Sequence, residues 1–235
     1  MSRSHKVTPS GFSERSALSN FNPNWKFESA NYSSSISKRV LDLIVAGSAL
    51  LVFAFPMIVI FILLALRDGF PIFYGHERIG KDGRRFKCLK FRTMVKDSDE
   101  QLRKLLESDP MARAEWESDH KLKNDPRIHK IGAILRKSSL DELPQLFNVL
   151  RGDMSIVGPR PIVQAEAEKY GVFFVAYKSV KPGLTGLWQV SGRSNTTYRR
   201  RVALDLKYTK SASFVSDVLI IFKTAWIVVL GRGSC

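Results

Sequence analysis

The chain has 235 residues, enough for one domain with a substantial core and a tail. Its net charge of +15 calls for an anionic surface or ligand: lipid headgroups, nucleic acid or a phosphorylated metabolite. Its two cysteines, Cys88 and Cys235, exclude a disulfide framework and a cysteine-ligated metal site, and fit a chain whose bulk sits in a reducing compartment.

Residues 1–37 are rich in Ser, Asn and mixed charge, with no apolar run of the signal-peptide kind, and read as a disordered N-terminal tail. Leu43 to Leu66 then carries no charge at all, flanked by Lys38-Arg39 before and Arg67-Asp68 after. A helix of about 24 residues is roughly 36 Å long and reaches across a bilayer core. Pro56 near its middle removes a backbone hydrogen bond and kinks it. Basic residues at both ends leave the orientation undefined. A single spanning helix satisfies the length, and a helix that bends at Pro56 and returns to its own face satisfies the charges. Asp42 is expected at headgroup depth in either case.

Residues 70–95 read as two strands joined by a turn at Lys81-Asp82-Gly83. In the second strand Cys88, Lys90 and Arg92 alternate with Lys87, Leu89 and Phe91. The Lys90 face is either solvated or turned towards lipid or phosphate. Residues 97–119, with Leu102, Leu105, Leu106 and Met111 at helical spacing, predict one or two amphipathic helices broken near Pro110. Asn124-Asp125-Pro126 marks a turn. Another helix follows from Ile128, with Arg136 away from its apolar side.

Ser139-Leu140-Asp141-Glu142-Leu143-Pro144 has two readings. Ser139 and Glu142 have capping-box spacing, and acids suit a first helical turn, although Pro144 sits better if Asp141 itself is the cap. The chemical reading uses the same geometry. Adjacent helical residues diverge by roughly 100°, so one carboxylate could attack phosphorus while the other holds a divalent metal. A helix N-terminus would favour the ionised nucleophile. Arg160, between Pro159 and Pro161, offers a rigidly aimed guanidinium for phosphate, and Arg193 is a second candidate. Gly152, Gly158, Gly183, Gly186 and Gly192 would let backbone approach a ligand. Phe214 to Leu230 is apolar but carries Asp217 and Lys223, which suits a helix in the membrane interface or in the core.

In order, Lys38-Arg39…Asp42, the proline-bearing apolar helix, Lys90-Phe91-Arg92-Thr93-Met94, Asp125-Pro126-Arg127-Ile128, Leu135-Arg136…Ser139-Leu140-Asp141-Glu142-Leu143-Pro144-Gln145, Gly158-Pro159-Arg160-Pro161 and Pro182-Gly183-Leu184-Thr185-Gly186 form a specific pattern. It resembles the bacterial sugar transferases, the monotopic polyprenyl-phosphate hexose-1-phosphate (small phosphoglycosyl) transferases, over about residues 37–235. Phe73-Tyr74-Gly75-His76 and the Gly-Ser-Cys end look most like members that start rhizobial-type exopolysaccharides. The resemblance implies a ping-pong reaction. Asp141 would attack the β-phosphorus of a UDP-sugar (UDP-galactose or UDP-glucose), release UMP and form a covalent phosphosugar intermediate. Undecaprenyl phosphate would then accept the sugar phosphate. Glu142 would bind Mg²⁺, and Arg136, Arg160, Arg193 and Lys90 would contact phosphate.

The implied fold is α+β: a monotopic membrane-associated domain with a proline-kinked re-entrant helix over 38–67, amphipathic interfacial helices and a small β-hairpin within a catalytic region over 68–235. Lys38, Arg39 and Pro56 would mark the membrane segment, with the active site on the cytoplasmic face of the bacterial inner membrane. A homodimer is compatible with this reading. One departure is Phe55-Pro56, where members often carry Ser-Pro, a serine able to relieve the backbone freed by proline. A nucleic-acid partner is disfavoured, because the basic residues are dispersed among glycine–proline loops rather than gathered on a recognition helix. A membrane scaffold without chemistry would leave Asp141→Asn silent.

Overall fold

The computed structural model describes residues 28–119, 122–192 and 197–229. A short helix α1 (Glu28–Ser33) lies within the stretch expected to be a tail, and Tyr32 explains its order: its hydroxyl donates to the fully buried Asp217 at 3.0 Å. The long apolar helix α2 (Ile36–Asp68) starts where the Ser35 hydroxyl accepts from the Lys38 N–H, and stops at Gly69, whose φ of 63° suits a residue without a Cβ. Pro56 lies inside it. Ala46, Met57, Ile60 and Leu64 are buried on one side, while Leu51, Val52, Phe55 and Leu66 stay exposed.

Strands β1 (Phe73–Ile79) and β2 (Arg85–Phe91) form the expected hairpin, turning through Lys81–Gly83. They pair antiparallel with Tyr74 opposite Lys90, His76 opposite Cys88 and Arg78 opposite Phe86. Helices α3 (Ser98–Ser108) and α4 (Pro110–Asp119) follow, separated at Pro110 as expected. Helix α5 (Lys130–Ser138) leads through Ser139 and a single 3-10 turn (Leu140–Glu142) into α6 (Gln145–Arg151). Strand β3 (Ser155–Val157) is followed by α7 (Gln164–Tyr170) and α8 (Phe174–Lys178), a crossover that lets β4 (Gly183–Thr185) pair parallel to β3. Helices α9 (Tyr198–Ser211) and α10 (Phe214–Val229) complete the described chain.

The core explains how the long apolar helix meets the rest. Its first half packs through Ala46 on Leu146, Val149, Met154 and Ile156, with Tyr208 of α9 and Ile220 of α10. Its second half packs through Met57, Ile60 and Leu64 on Ile72, Phe91 and Leu135. Both halves therefore rest on one body. A third cluster joins Ile79 and Ile162 to Tyr170, Tyr177, Val202 and Leu206.

The start of α2 is buried rather than wet. Lys38 Nζ lies 3.1 Å from Asp42 Oδ1 and 2.7 Å from Asp217 Oδ2. Asp42 also accepts from Ser155 Oγ (2.9 Å) and the Ile156 N–H (3.0 Å), so it is enclosed by the protein. Asp217 takes a further bond from Tyr208 at 2.9 Å. Arg39 reaches the Val149 and Leu150 carbonyls, both at 2.7 Å, and closes the C-terminus of α6. Lys38 and Arg39 thus also serve the fold at the start of the apolar helix. α10 buries Asp217 and Ile220 but exposes Val215, Leu219, Phe222 and Trp226 at helical spacing, an apolar stripe facing outward.

Three of the glycines let backbone approach backbone. A Cβ on Gly158 would collide with the Lys181 carbonyl and the Gly183 nitrogen, and one on Gly183 or Gly186 would strike the Gly158 backbone. They close β3 against β4, and the close approach is chain to chain.

Candidate active site

The acidic pair is presented by a chain reversal. Ser139 adopts the left-handed conformation (φ 59°, ψ 15°) and ends α5, its N–H returning to Arg136 O. Its side chain makes no capping bond, so the capping-box reading does not hold. Leu140–Glu142 then makes one tight turn, and Pro144 heads α6, where its missing N–H costs nothing. The turn delivers Asp141 almost fully buried and Glu142 half-buried, beside the end of β2.

Lys90 stands between the two acids. Its ammonium is 3.3 Å from Asp141 Oδ2 and 2.7 Å from Glu142 Oε1. The lysine is placed by a single amide on α6: Asn148, fully buried, accepts from the Leu89 N–H (2.9 Å) and donates to Lys87 O (2.9 Å). Burial pushes the Asp141 carboxyl above the ordinary carboxylate range, Lys90 opposes that rise, and the Glu142 charge adds to it. Desolvation therefore outweighs the helix-terminus effect expected to keep Asp141 strongly acidic.

Arg160 completes this end of the site, 3.9 Å from Glu142 Oε1. Its loop is clamped to β4 on both sides: Gly158 N–H donates to Thr185 O (2.9 Å) and Gly183 N–H to Pro159 O (2.8 Å). Arg136 donates its Nε–H to Thr93 Oγ1 at 2.8 Å, and its charge helps to lower the Asp141 pKa. Arg193 lies outside the described residues. Lys90, Glu142 and Arg160 line one cleft, together with Arg78, Cys88, Gln145, Pro161, Gly183, Leu184 and Gln189.

Sequence reasoning missed Arg78, Gln145 and Gln189. Strand alternation could have found Arg78, since it shares a ribbon face with Lys90, but a strand arginine reads by default as solvated. Cys88 is buried and its thiol is pushed up to about 11, chiefly by burial, which leaves it a packing residue rather than a nucleophile. No cluster of three or more metal-binding side chains occurs among the described residues. Two carboxylates beside cationic phosphate grips match the sparse ligand set of Mg²⁺, which commonly takes one or two carboxylates and completes its shell with phosphate oxygens and water.

A sequence profile described as bacterial sugar transferase matches residues 33–231. The UDP-galactose-lipid carrier transferase of Erwinia amylovora is 53% identical over 205 residues, covering 87% of this chain and 43% of that protein. The undecaprenyl-phosphate galactose phosphotransferase of Salmonella typhimurium is 52% identical over 205 residues, with the same coverage, 87% and 43%. The chain thus spans less than half the length of these two. The exopolysaccharide production protein ExoY of Rhizobium meliloti is 50% identical over 199 residues, covering 85% of this chain and 88% of its own. The matched region contains the acidic turn, the Lys90 strand and the Arg160 loop, and it places the chain in the bacterial sugar transferase family.

Proposed function

We propose that this protein is a phosphotransferase that moves a hexose-1-phosphate from a UDP-sugar to undecaprenyl phosphate, opening the assembly of an exopolysaccharide. The observation that carries this reading is the shared Lys90 ammonium between Asp141 and Glu142, facing Arg160 across the cleft. Asp141 attacks the β-phosphorus of the donor: a carboxylate oxygen–phosphorus bond forms and the bond to the bridging oxygen breaks, leaving its electron pair on UMP. The acceptor's phosphate oxygen then displaces Asp141 and restores the carboxylate. Lys90 favours the ionised form of Asp141 within a buried setting and neutralises incoming phosphate. Arg160 and Arg136 hold phosphate oxygens, with Arg193 assigned to the same task. Glu142, with Asp141 beside it, would hold Mg²⁺, which supplies charge neutralisation on the phosphate oxygens.

Membrane placement follows from the outward apolar surface of α2 and the stripe on α10. A re-entrant path for α2 is supported by its two halves packing on one body and by Pro56 between them. A helix crossing straight through would carry one half away from that body. The cleft then lies on the cytoplasmic face of the inner membrane, where nucleotide sugars are made.

UMP release by the purified protein in detergent tests the reaction, with UDP-galactose and UDP-glucose in parallel, undecaprenyl phosphate and Mg²⁺ present, and Asp141→Asn alongside. The expected result is one equivalent of UMP without the lipid acceptor, continued release only with it, and neither without Asp141. Release that persists in Asp141→Asn would sink the mechanism.

A further inference from the structure

Arg78 belongs to the same cleft as Lys90 and Arg160 but sits at its other end. On the ribbon it stands across from Phe86, four residues or roughly 13 Å from Lys90 at about 3.3 Å per residue. Its side chain leans back along the strand, and its NH2 group is 3.3 Å from His76 Nδ1. His76 pairs with Cys88, two residues before Lys90 on the same ribbon face, so the guanidinium is drawn one strand repeat towards Lys90. That offset suits neighbouring phosphates of one diphosphate, each gripped at its own end.

The two arginines are held to one another by the fold. Ile79, next to Arg78, donates its N–H to Ile162 O at 3.0 Å, and Ile162 lies two residues after Arg160. Tyr177 bridges the same two residues, donating to Ile79 O at 2.8 Å and accepting from the Ile162 N–H at 3.3 Å. Glu166 adds a second tie. Its Oε2 accepts from the Val163 N–H (3.2 Å) at the end of the Arg160 loop and lies 3.6 Å from Arg78 NH1. Its Oε1 accepts from Arg201 at 3.0 Å. Arg201 is itself buried against the Trp188 and Tyr198 rings, and its Nε lies 3.9 Å from the buried Asp205. Arg78 and Arg160 thus line one cleft from two elements that the fold ties together.

We propose that Arg78 is the leaving-group arginine: it grips the α-phosphate of the donor, the part that departs as a nucleoside monophosphate, while Lys90 and Arg160 attend the phosphate under attack. Glu166 is its positioning residue. This rests on the phosphotransferase reading above. As the oxygen–phosphorus bond to the bridging oxygen breaks, the electron pair passes to UMP. Arg78 stabilises that charge by hydrogen bonds that strengthen as it forms.

The test is titration of UMP into the intact purified chain, which needs no turnover and no Asp141. Wild type and Asp141→Asn should bind UMP alike, whereas Arg78→Ala should bind about tenfold more weakly, the loss of a charge-assisted pair. Arg78→Ala should also slow the single-turnover burst of UMP release and leave kcat/KM for undecaprenyl phosphate within about twofold, because the acceptor arrives after the nucleotide has left. Arg78→Lys, which keeps charge without the planar fork, should fall between the two. Glu166→Gln should slow the burst of UMP release about threefold and leave kcat/KM for undecaprenyl phosphate within about twofold, since it loosens the aim of Arg78 and nothing that meets the acceptor. UMP affinity unchanged in Arg78→Ala, or in Arg78→Lys if the alanine variant does not fold, overturns the proposal, as does wild type that binds no UMP. If instead Asp141→Asn still turns over while Arg78→Ala loses UMP, the covalent mechanism falls and the nucleotide subsite stands.

Discussion

The charge cluster at the start of α2 and the one in the cleft are built to opposite standards. At the start of α2, Lys38 is bracketed by Asp42 and Asp217, and Asp42 and Asp217 also accept bonds from Ser155, Ile156, Tyr32 and Tyr208. All three ionic side chains are at most 4% exposed. In the cleft, by contrast, one lysine is divided between two carboxylates, the contacts run from 2.7 to 3.9 Å, and the Arg160 side chain is 39% exposed. The first cluster spends its hydrogen-bonding capacity inside the protein. The second keeps capacity in reserve, which is what a site for a multiply charged ligand requires.

The sharpest way to break that contrast is Asp141→Asn. It should remove at least about a thousandfold of UMP release, the scale of losing a covalent nucleophile, while the melting temperature barely moves. Gly158→Ala comes next. Its methyl group has no room beside Lys181 and Gly183, so the Arg160 loop must shift, and activity should drop about a hundredfold, as expected for a displacement near 1 Å. Lys38→Ala tests the other cluster. It leaves two buried carboxylates without their cation and should cost about 3–5 kcal/mol in chemical denaturation, whereas Lys90→Met should cost far less.

The smallest expected effect is a change of pH profile. Asp141 must be ionised to attack, and its raised pKa means that activity falls, as pH is lowered, sooner than for an ordinary carboxylate. Lys90 lowers that pKa, so Lys90→Met should carry the acid limb of the rate profile to still higher pH. A limb that stays in place, or moves the other way, would show that Lys90 does not govern the nucleophile's charge.

The sequence disclosed the local devices and concealed the distant ones. The hairpin was legible from alternation and its Lys81–Gly83 turn, the break at Pro110 from proline chemistry, and the acidic turn from Pro144. Lys38 was not, because its partner Asp217 is 179 positions away, beyond any window of periodicity. Asp42, read as wet, is buried for the same reason. The β3–β4 pair escaped because three-residue strands carry almost no pattern, and its glycines looked like ligand contacts until their backbone neighbours were known. Arg78 needed the strand register to be recognised as a neighbour of Lys90.

Asn148 has a consequence that reaches beyond its three hydrogen bonds. A ribbon of two strands has little to stop it slipping, and a slip of one position turns every side chain to the opposite side. By holding Lys87 and Leu89 from the flank, the amide denies β2 that slip and occupies the edge a further strand would need. Because Asn148 rides on the helix that begins just after Asp141, Asp141 and Lys90 are indexed to the same ruler.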